Sequence, residues 1–546
     1  MALAAMAAFW IHFGIIRASI VPLGGDNYEY ADVARNVAQG RGLVTDGASV
    51  LEMAALGNGR LPLPYFIHDP GNAIYLGGFF ALFGARTSVI ALASGTCFVL
   101  TVTLTYLLGA RLFGEGVGRL AAFFAVINAQ LNGLSVSGLS ELPASFLLTL
   151  GFFLLCGVRG PGTAFGAGLA VGALVVTRQN ALPFVPWFLV FLALVPERGL
   201  SLAASLTRPN WAVLKKRTRR ALLPFTLGVV LLVVPNAART MRQFGHPLHG
   251  LGWQSIWLAH TGAIPFDKFK EVWQTTGVNV DPVRYLRTHP GELLGKMDYQ
   301  IRDALTRIMT GGARAVAADA FFFALVLLAL LAPPKEESGQ AGARCLFAAC
   351  AVTALLVGGA AFLRWRHLYV FVPVGLVYAA EVTRRLFAVE ARGGSTLLRH
   401  LRIAALLLAV GASEWLPLIP PPSELQGELD RRLRVLATFV AQNTPENAVV
   451  LVDSKASFSL CALAWHQRRQ YVTYSEFTFQ SLESPVARRP LYVLTVVMRP
   501  RGPRPLEGLG PKGGREFARV ARLDDPLGEV AARLLVLKDT GALAPP

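Results

Sequence analysis

Eleven apolar runs constrain this chain more than any other feature. They fall at residues 2–21, 87–109, 119–137, 143–158, 164–181, 182–196, 221–237, 319–334, 345–363, 368–383 and 402–420. A membrane-crossing helix needs roughly 20 predominantly apolar residues. Inside lipid, only helices and closed barrels satisfy the backbone's own hydrogen bonds. The runs therefore predict an α class fold: a polytopic membrane protein with about eleven transmembrane helices. Composition excludes the obvious alternatives. The 546 residues are 53% hydrophobic and 16% charged, whereas a soluble domain carries about 25% charged residues and a disordered chain has low hydrophobicity. The first run has no basic flank and no small-residue cleavage site, so it reads as an anchor rather than a signal peptide.

Charge then orients the chain. Lys and Arg number 52 against 34 Asp and Glu, a net +18. In a membrane protein that excess points to cytoplasmic loops and anionic headgroups rather than to nucleic acid. Lys215, Lys216, Arg217, Arg219 and Arg220 follow the sixth run, and Arg384, Arg385, Arg392 and Arg399 follow the tenth. With eleven spans these two loops share a side, which the positive-inside rule makes cytoplasmic. Residues 22–86, the turn at 132–142, the long loop 238–318 and everything after about 421 then face outward. Five cysteines, four of them in apolar runs, show neither a disulfide framework nor a paired metal spacing.

The tail changes character. Residues 428–442 read as an amphipathic helix, followed by strand-like runs at Ala448–Val452, Gln470–Tyr474, Leu491–Val497, Phe517–Leu523 and Arg533–Leu537. The expectation is a transmembrane domain over 1–420, with outer loops 22–86 and 238–318, and a small extracytoplasmic α/β domain over 421–546. No internal repeat suggests the inverted halves of a transporter.

Four stretches carry candidate chemistry. After the first run comes Asp26-Asn27-Tyr28-Glu29-Tyr30, with a helix predicted from about Asn27 to Ala38. Tyr30, Val33, Ala34, Val37 and Ala38 form an apolar stripe that should lay this helix along the membrane surface. Asp26 is then a general base in a poorly hydrated setting, or an N-cap completed by Glu29 as a capping box. In His68-Asp69-Pro70-Gly71, Pro70 suits a first helical position and Asp69 an N-cap. His68 there either meets an anion at the helix start or is a plain surface histidine.

Glu141 follows Ser140 at another helix start. It is a first-turn carboxylate capped by Ser140, or a second acid facing Asp26 that orients a substrate hydroxyl. Two acids from separate loops without an adjacent histidine do not make a metal site. Finally, Arg178, Arg239, Arg242, Arg364, Arg366 and His367 lie near the outer face. They converge on a phosphate in an interior cavity or snorkel individually to headgroups.

In this order the stretches resemble the GT-C superfamily of multispan glycosyltransferases that use polyprenyl-phosphate-linked sugars. The likeness is to bacterial members akin to protein O-mannosyltransferases and lipid A aminoarabinose transferases. It is carried by Asp26-Asn27-Tyr28 with Gly40-Arg41-Gly42, and by His68-Asp69-Pro70-Gly71 with Leu82-Phe83-Gly84. Ser140-Glu141-Leu142, Thr177-Arg178-Gln179-Asn180, Pro235-Asn236 with Arg239, and Arg366-His367-Leu368-Tyr369 complete it.

The resemblance implies an enzyme that transfers a sugar, with inversion, to a hydroxyl of an envelope lipid, glycan or protein. Asp26 would be the catalytic base; Arg178, Arg239, Arg366 and His68 would hold the departing lipid phosphate; Glu141 and Tyr28 would contact substrate. Asn27 departs from the family, which often has a second acid there, and this weakens a paired-carboxylate metal site. The resemblance fixes no cofactor, and a divalent cation stays open. The implied partners are the lipid-linked donor, the acceptor and membrane lipids, without nucleic acid, in a bacterial cytoplasmic membrane. Trp253, Trp257 and His260 of the long loop are candidates for stacking on sugar. The rival classes are a transporter or flippase for lipid-linked sugars and an inactive assembly partner of the same fold.

Overall fold

The computed structural model describes residues 25–48, 62–65, 68–157, 160–194, 218–247, 287–310, 317–331, 338–361, 363, 365–390, 424–453, 460–467, 469–473, 491–498, 517–524 and 530–537. The chain runs first through α1 (Gly25–Ala38), β1 (Val44–Thr45), β2 (Gly47–Ala48) and β3 (Leu63–Pro64). There follow α2 (Pro70–Phe83), α3 (Thr87–Phe113), α4 (Glu115–Ile127) and α5 (Ala129–Leu134). Next come α6 (Glu141–Leu155), α7 (Pro161–Thr177), α8 (Val185–Leu194) and α9 (Leu223–Phe244). Then stand α10 (Pro290–Thr310), α11 (Ala317–Leu331), α12 (Ser338–Ala360) and α13 (Val372–Glu390). Two 3₁₀ segments, Gln179–Phe184 and Trp365–Phe371, interrupt the helical series. The tail holds α14 (Glu424–Asn443), β4 (Val449–Asp453), α15 (Leu460–His466), β5 (Gln470–Thr473), β6 (Leu491–Met498), β7 (Phe517–Asp524) and β8 (Val530–Leu537).

The protein is polytopic and helical. Among the described residues, Thr87–Phe113, Thr218–Phe244 and Gln340–Ala360 are long and apolar enough to cross a membrane, and four shorter apolar helices accompany them. The expected spans at 2–21 and 402–420 lie outside the described residues, as do Arg364, Trp253, Trp257 and His260. The run at 119–137 is broken in two. Asn128 takes extended backbone (φ −65°, ψ 117°), and its side chain accepts a hydrogen bond from Leu131 N at 3.0 Å. It therefore ends α4 and caps α5, as an asparagine in this position favours.

The chain divides into two compact units, one over 1–18, 91–264 and 280–421, the other over 19–90, 265–279 and 422–546. In the first, α7 and α9 pack closely. A Cβ built on Gly168 would stand 2.0 Å from Phe225 O, and one on Gly228 would stand 2.5 Å from Phe165 O. Gly168 and Gly172 are four residues apart, so glycines recur on one side of α7 and let the backbones touch. That is the small-residue solution to helix packing in lipid, where burial of apolar side chains supplies little drive.

The second unit is built on a six-stranded sheet in the order β2-β5-β4-β6-β8-β7. Strands β2, β5, β4 and β6 are parallel, while β6, β8 and β7 pair antiparallel. Central β4 is a continuous apolar run whose Val449, Val450, Leu451 and Val452 are fully buried, as a strand covered on both faces should read. All five strands expected in the tail are present. The sixth is β2, donated by the segment after α1, with Gly47 and Ala48 in register with Tyr471 and Val472.

Helix α1 does not lie along a membrane surface by its apolar stripe. Tyr30, Val33 and Ala34 are buried because α2 and α15 pack over that stripe. The close approach to α2 is made at Gly77, where a Cβ would stand 2.9 Å from Val37 Cγ1 and 3.2 Å from Ala34 O.

We expect Gly168→Ala to force α7 and α9 apart and destabilise the protein by at least about 1–3 kcal/mol, the usual result of overpacking. Gly166→Ala, whose Cβ would meet Leu154 Cδ1 at an ordinary 3.8 Å, is expected to be neutral or slightly stabilising. Thermal unfolding followed by gel filtration in detergent distinguishes the two. Equal melting temperatures would show that the α7–α9 contact is not backbone-limited.

Candidate functional site

The expected site residues fall into two groups, one in each unit. In the tail-containing unit, α1 begins at Gly25, so Asp26 stands in the first turn of the helix. Glu29 follows three residues later, on the same side of the helix. His68 lies just before α2, whose first residue is Pro70. Asp69 has the extended backbone of an N-cap, but its side chain makes no capping bond. His68 Nε2 lies 2.9 Å from Glu29 Oε2, and its ring sits 5.0 Å from that of Tyr30.

Burial alone would lower the His68 imidazole. The contact with Glu29 and the negative charges of Glu29, Asp26 and Asp69 outweigh it and raise His68 above 6.5. Asp26, Glu29, His68 and Asp69 thus form one electrostatic group with an acidic excess. Tyr28 is not on that side: it is 3% exposed and packs edge-on against His466 at 5.9 Å.

In the membrane unit, Glu141 opens α6. Its neighbour Ser140 makes no capping bond; its Oγ accepts from Arg178 Nη1 at 3.2 Å instead. Glu141 Oε1 lies 3.2 Å from Arg178 Nη1 and 3.5 Å from Arg366 Nε. The Glu141 side chain is 3% exposed, against 12% for Arg178 and 26% for Arg366. A carboxylate so buried is costly unless paired, and here two guanidiniums pair with it.

Backbone geometry brings these cations in. Arg178 has extended backbone (φ −148°, ψ 100°) at the joint between α7 and the 3₁₀ segment Gln179–Phe184. Arg366 rides on the segment Trp365–Phe371. That segment is anchored by Ser145 Oγ, which donates to Tyr369 O at 3.2 Å. Gln300 of α10 fixes the preceding joint: its amide donates to Gly359 O and Ala361 O, each at 3.3 Å, and its Oε1 accepts from Leu363 N at 2.5 Å.

Arg239 bonds within α9, to Asn236 Oδ1 at 3.2 Å and Gln243 Oε1 at 3.3 Å. His367 lines a small cleft with Arg178 and Asn180. A larger apolar cavity of about 250 Å³ is lined by Leu305, Phe322, Val326, Phe347, Leu355 and Leu376. Among the described residues, no three His, Cys, Asp or Glu side chains gather as metal ligands.

Sequence reasoning missed two features. Lys296 is 5% exposed on α10, and burial lowers its ammonium to about 8; nothing in the pattern around it separates it from a solvated lysine. Asp32, Arg35, Arg41 and Asp46 form a second charge cluster. Asp32 is fully buried, and burial lifts its carboxyl to about 6 against the opposing pull of Arg35. Asp32 and Arg35 at i and i+3 on one helix were the available sign.

No family model and no curated protein matches this sequence, but solved structures match the fold. ArnT from Cupriavidus metallidurans bound to undecaprenyl phosphate superposes with a TM-score of 0.57 at 13% identity, over 99% of this chain and 98% of that one. The archaeal oligosaccharyltransferase AglB from Archaeoglobus fulgidus, in complex with an inhibitory peptide and a dolichol-phosphate, gives 0.53 at 14% identity, over 90% of this chain and 69% of that one. The chain has the GT-C fold.

The His68 pair has a pH signature. A histidine raised above its unfolded value contributes stability that is fully present below about 6.5 and is lost as pH rises through the folded value. We expect the melting temperature to fall across that window in the native protein and the slope to be reduced in His68→Gln. Parallel profiles for the two proteins would show that the contact is not an ion pair.

Proposed function

We propose that this protein is an integral membrane glycosyltransferase that moves a sugar from a polyprenyl-phosphate donor to an acceptor hydroxyl, with inversion. The observation that carries the reading is the fold shared along 99% of the chain with ArnT captured on undecaprenyl phosphate. The dolichol-phosphate on AglB supports the same donor class. The apolar cavity of the membrane unit has a lining suited to isoprenoid chain. The enzyme resides in a bacterial cytoplasmic membrane with its tail domain outside, as the loop charges suggest.

In this reading Asp26 is the general base. It removes the proton of the acceptor hydroxyl as that oxygen bonds to the anomeric carbon. The bond from that carbon to the phosphate oxygen breaks on the opposite side, and polyprenyl phosphate leaves with one more negative charge. A single displacement inverts the anomeric centre. General-base assistance contributes roughly 10²–10⁴ in rate. Arg178 and Arg366 stabilise the departing phosphate, because fixed cations favour charge that develops only in the transition state. Glu141 holds these guanidiniums in place and offers its second oxygen to a sugar hydroxyl. Arg239 and His68 are secondary substrate contacts, His68 acting through the acidic group it joins, while buried Tyr28 supports the helix that carries Asp26.

The test is a panel of synthetic polyprenyl-phosphate sugars incubated with purified protein, reading released polyprenyl phosphate. We expect turnover with at least one donor. Asp26→Asn should reduce it by about 10²-fold or more with little change in melting temperature, since Asn serves a helix start as well as Asp. Undiminished transfer by Asp26→Asn would remove Asp26 as the base, and no release from any donor would remove the activity.

A further inference from the structure

Arg35 is 6% exposed and is bonded on both sides. On its own helix, Nη2 donates to Asp32 Oδ1 at 2.5 Å and lies 3.5 Å from Asp46 Oδ2. Towards the tail, Nη1 donates to the carbonyls of Ala464 at 3.0 Å and Trp465 at 3.2 Å. Those are among the last carbonyls of α15 (Leu460–His466), which no further turn of helix satisfies and which favour a cation. The guanidinium also stands 5.7 Å from the Trp465 ring, within cation–π range, and that ring stacks on Phe80 of α2.

The rest of the cluster ties the same elements together. Asp32 Oδ2 accepts from Thr45 Oγ1 at 3.1 Å and from Asp46 N at 2.7 Å. Asp46 is gripped by both Arg41 nitrogens at 2.8 and 2.9 Å. Its carbonyl accepts from Tyr471 N at 2.9 Å, where β2 joins β5. Two arginines and two aspartates make a neutral quartet. Its bonds run from α1 to the edge of the tail sheet and to the end of α15.

Arg35 lies nine residues beyond Asp26 on α1, about two and a half turns, and so projects from the opposite side of the helix. It does not act on a substrate held at Asp26. It fixes the helix from behind.

We propose that Arg35 is a positioning residue for the transfer reaction: by capping α15 while paired with Asp32, it locks the helix that carries Asp26 onto the tail domain. The proposal rests on the reading of Asp26 as base. Its consequence is that the tail domain, through one buried guanidinium, is part of the apparatus that aims the base.

The experiment uses the full-length protein in detergent, with Arg35→Ala, Arg35→Lys and Asp26→Asn. Donor turnover is measured beside hydrogen exchange of the amides of residues 25–38. For Arg35→Ala we expect kcat to fall tenfold or more while KM for the polyprenyl-phosphate sugar stays within about twofold, with faster exchange in 25–38. Arg35→Lys keeps the charge, but one ammonium cannot reach Asp32 and both carbonyls. It should show a smaller kcat loss and intermediate exchange, and it decides the matter if Arg35→Ala does not fold.

Unchanged kcat and exchange in Arg35→Lys and Arg35→Ala would overturn the proposal. So would a loss spread equally over kcat and KM, which marks general damage. Asp26→Asn separates the two layers. If it retains transfer, the base reading fails while the exchange data still report whether Arg35 locks α1. If it is inactive with native exchange, the base reading stands whatever Arg35 does.

Discussion

Lipid offers no water to a peptide group or a charge, and most of this structure follows from that scarcity. In the membrane unit every segment must satisfy its own backbone, so the apolar runs are helical. Close packing has to come from shape rather than from burial, which is why glycines meet where α7 crosses α9. The same scarcity governs the ionisable groups. Glu141 is 2% exposed, and a lone carboxylate there would give up its charge. Here it is paired with Arg178 and Arg366.

Such pairing is weak evidence for stability, because desolvation cancels much of the attraction. It is better evidence for organisation. Arg178 and Arg366 come from distant parts of the chain, at the end of α7 and on the segment before α13. Glu141 is the counter-charge that lets both occupy one place despite their mutual repulsion. Guanidiniums gathered in this way are the groups that recognise carboxylates and phosphates. The quartet of Asp32, Arg35, Arg41 and Asp46 differs in kind. Its charges cancel, and its bonds join separate segments of chain.

The sequence made the helices and the tail sheet legible for simple reasons. Apolar runs of the right length have few alternatives in a lipid-facing chain, and β-branched runs such as Val449-Val450-Leu451-Val452 read as a central strand. It could not show where amphipathic α1 turns its stripe. Tyr30, Val33 and Ala34 look the same whether lipid or protein covers them, and the partner, α15, lies more than four hundred residues away. Gly47 and Ala48 carry no strand signal at all, since β2 exists only because β5 presents an open edge. The grouping of Glu141 with Arg178 and Arg366 was legible only as a list of charges near one membrane face. Convergence on one carboxylate is tertiary information. Arg239 was in the same list and bonds along its own helix instead.

The two clusters of candidate site residues differ in composition, and the proposed chemistry has a use for each. Deprotonating an acceptor hydroxyl calls for a carboxylate that remains basic. Asp26 shares its surroundings with Glu29, Asp69 and His68. Those carboxylates favour the charged form of His68, whose short approach is to Glu29. Releasing a lipid phosphate calls for cations, and the group around Glu141 brings two guanidiniums together. A flippase needs affinity for the phosphate as well, but it has no use for a set of carboxylates clustered beside a histidine. The acidic group is therefore the feature that argues for bond-making rather than passage.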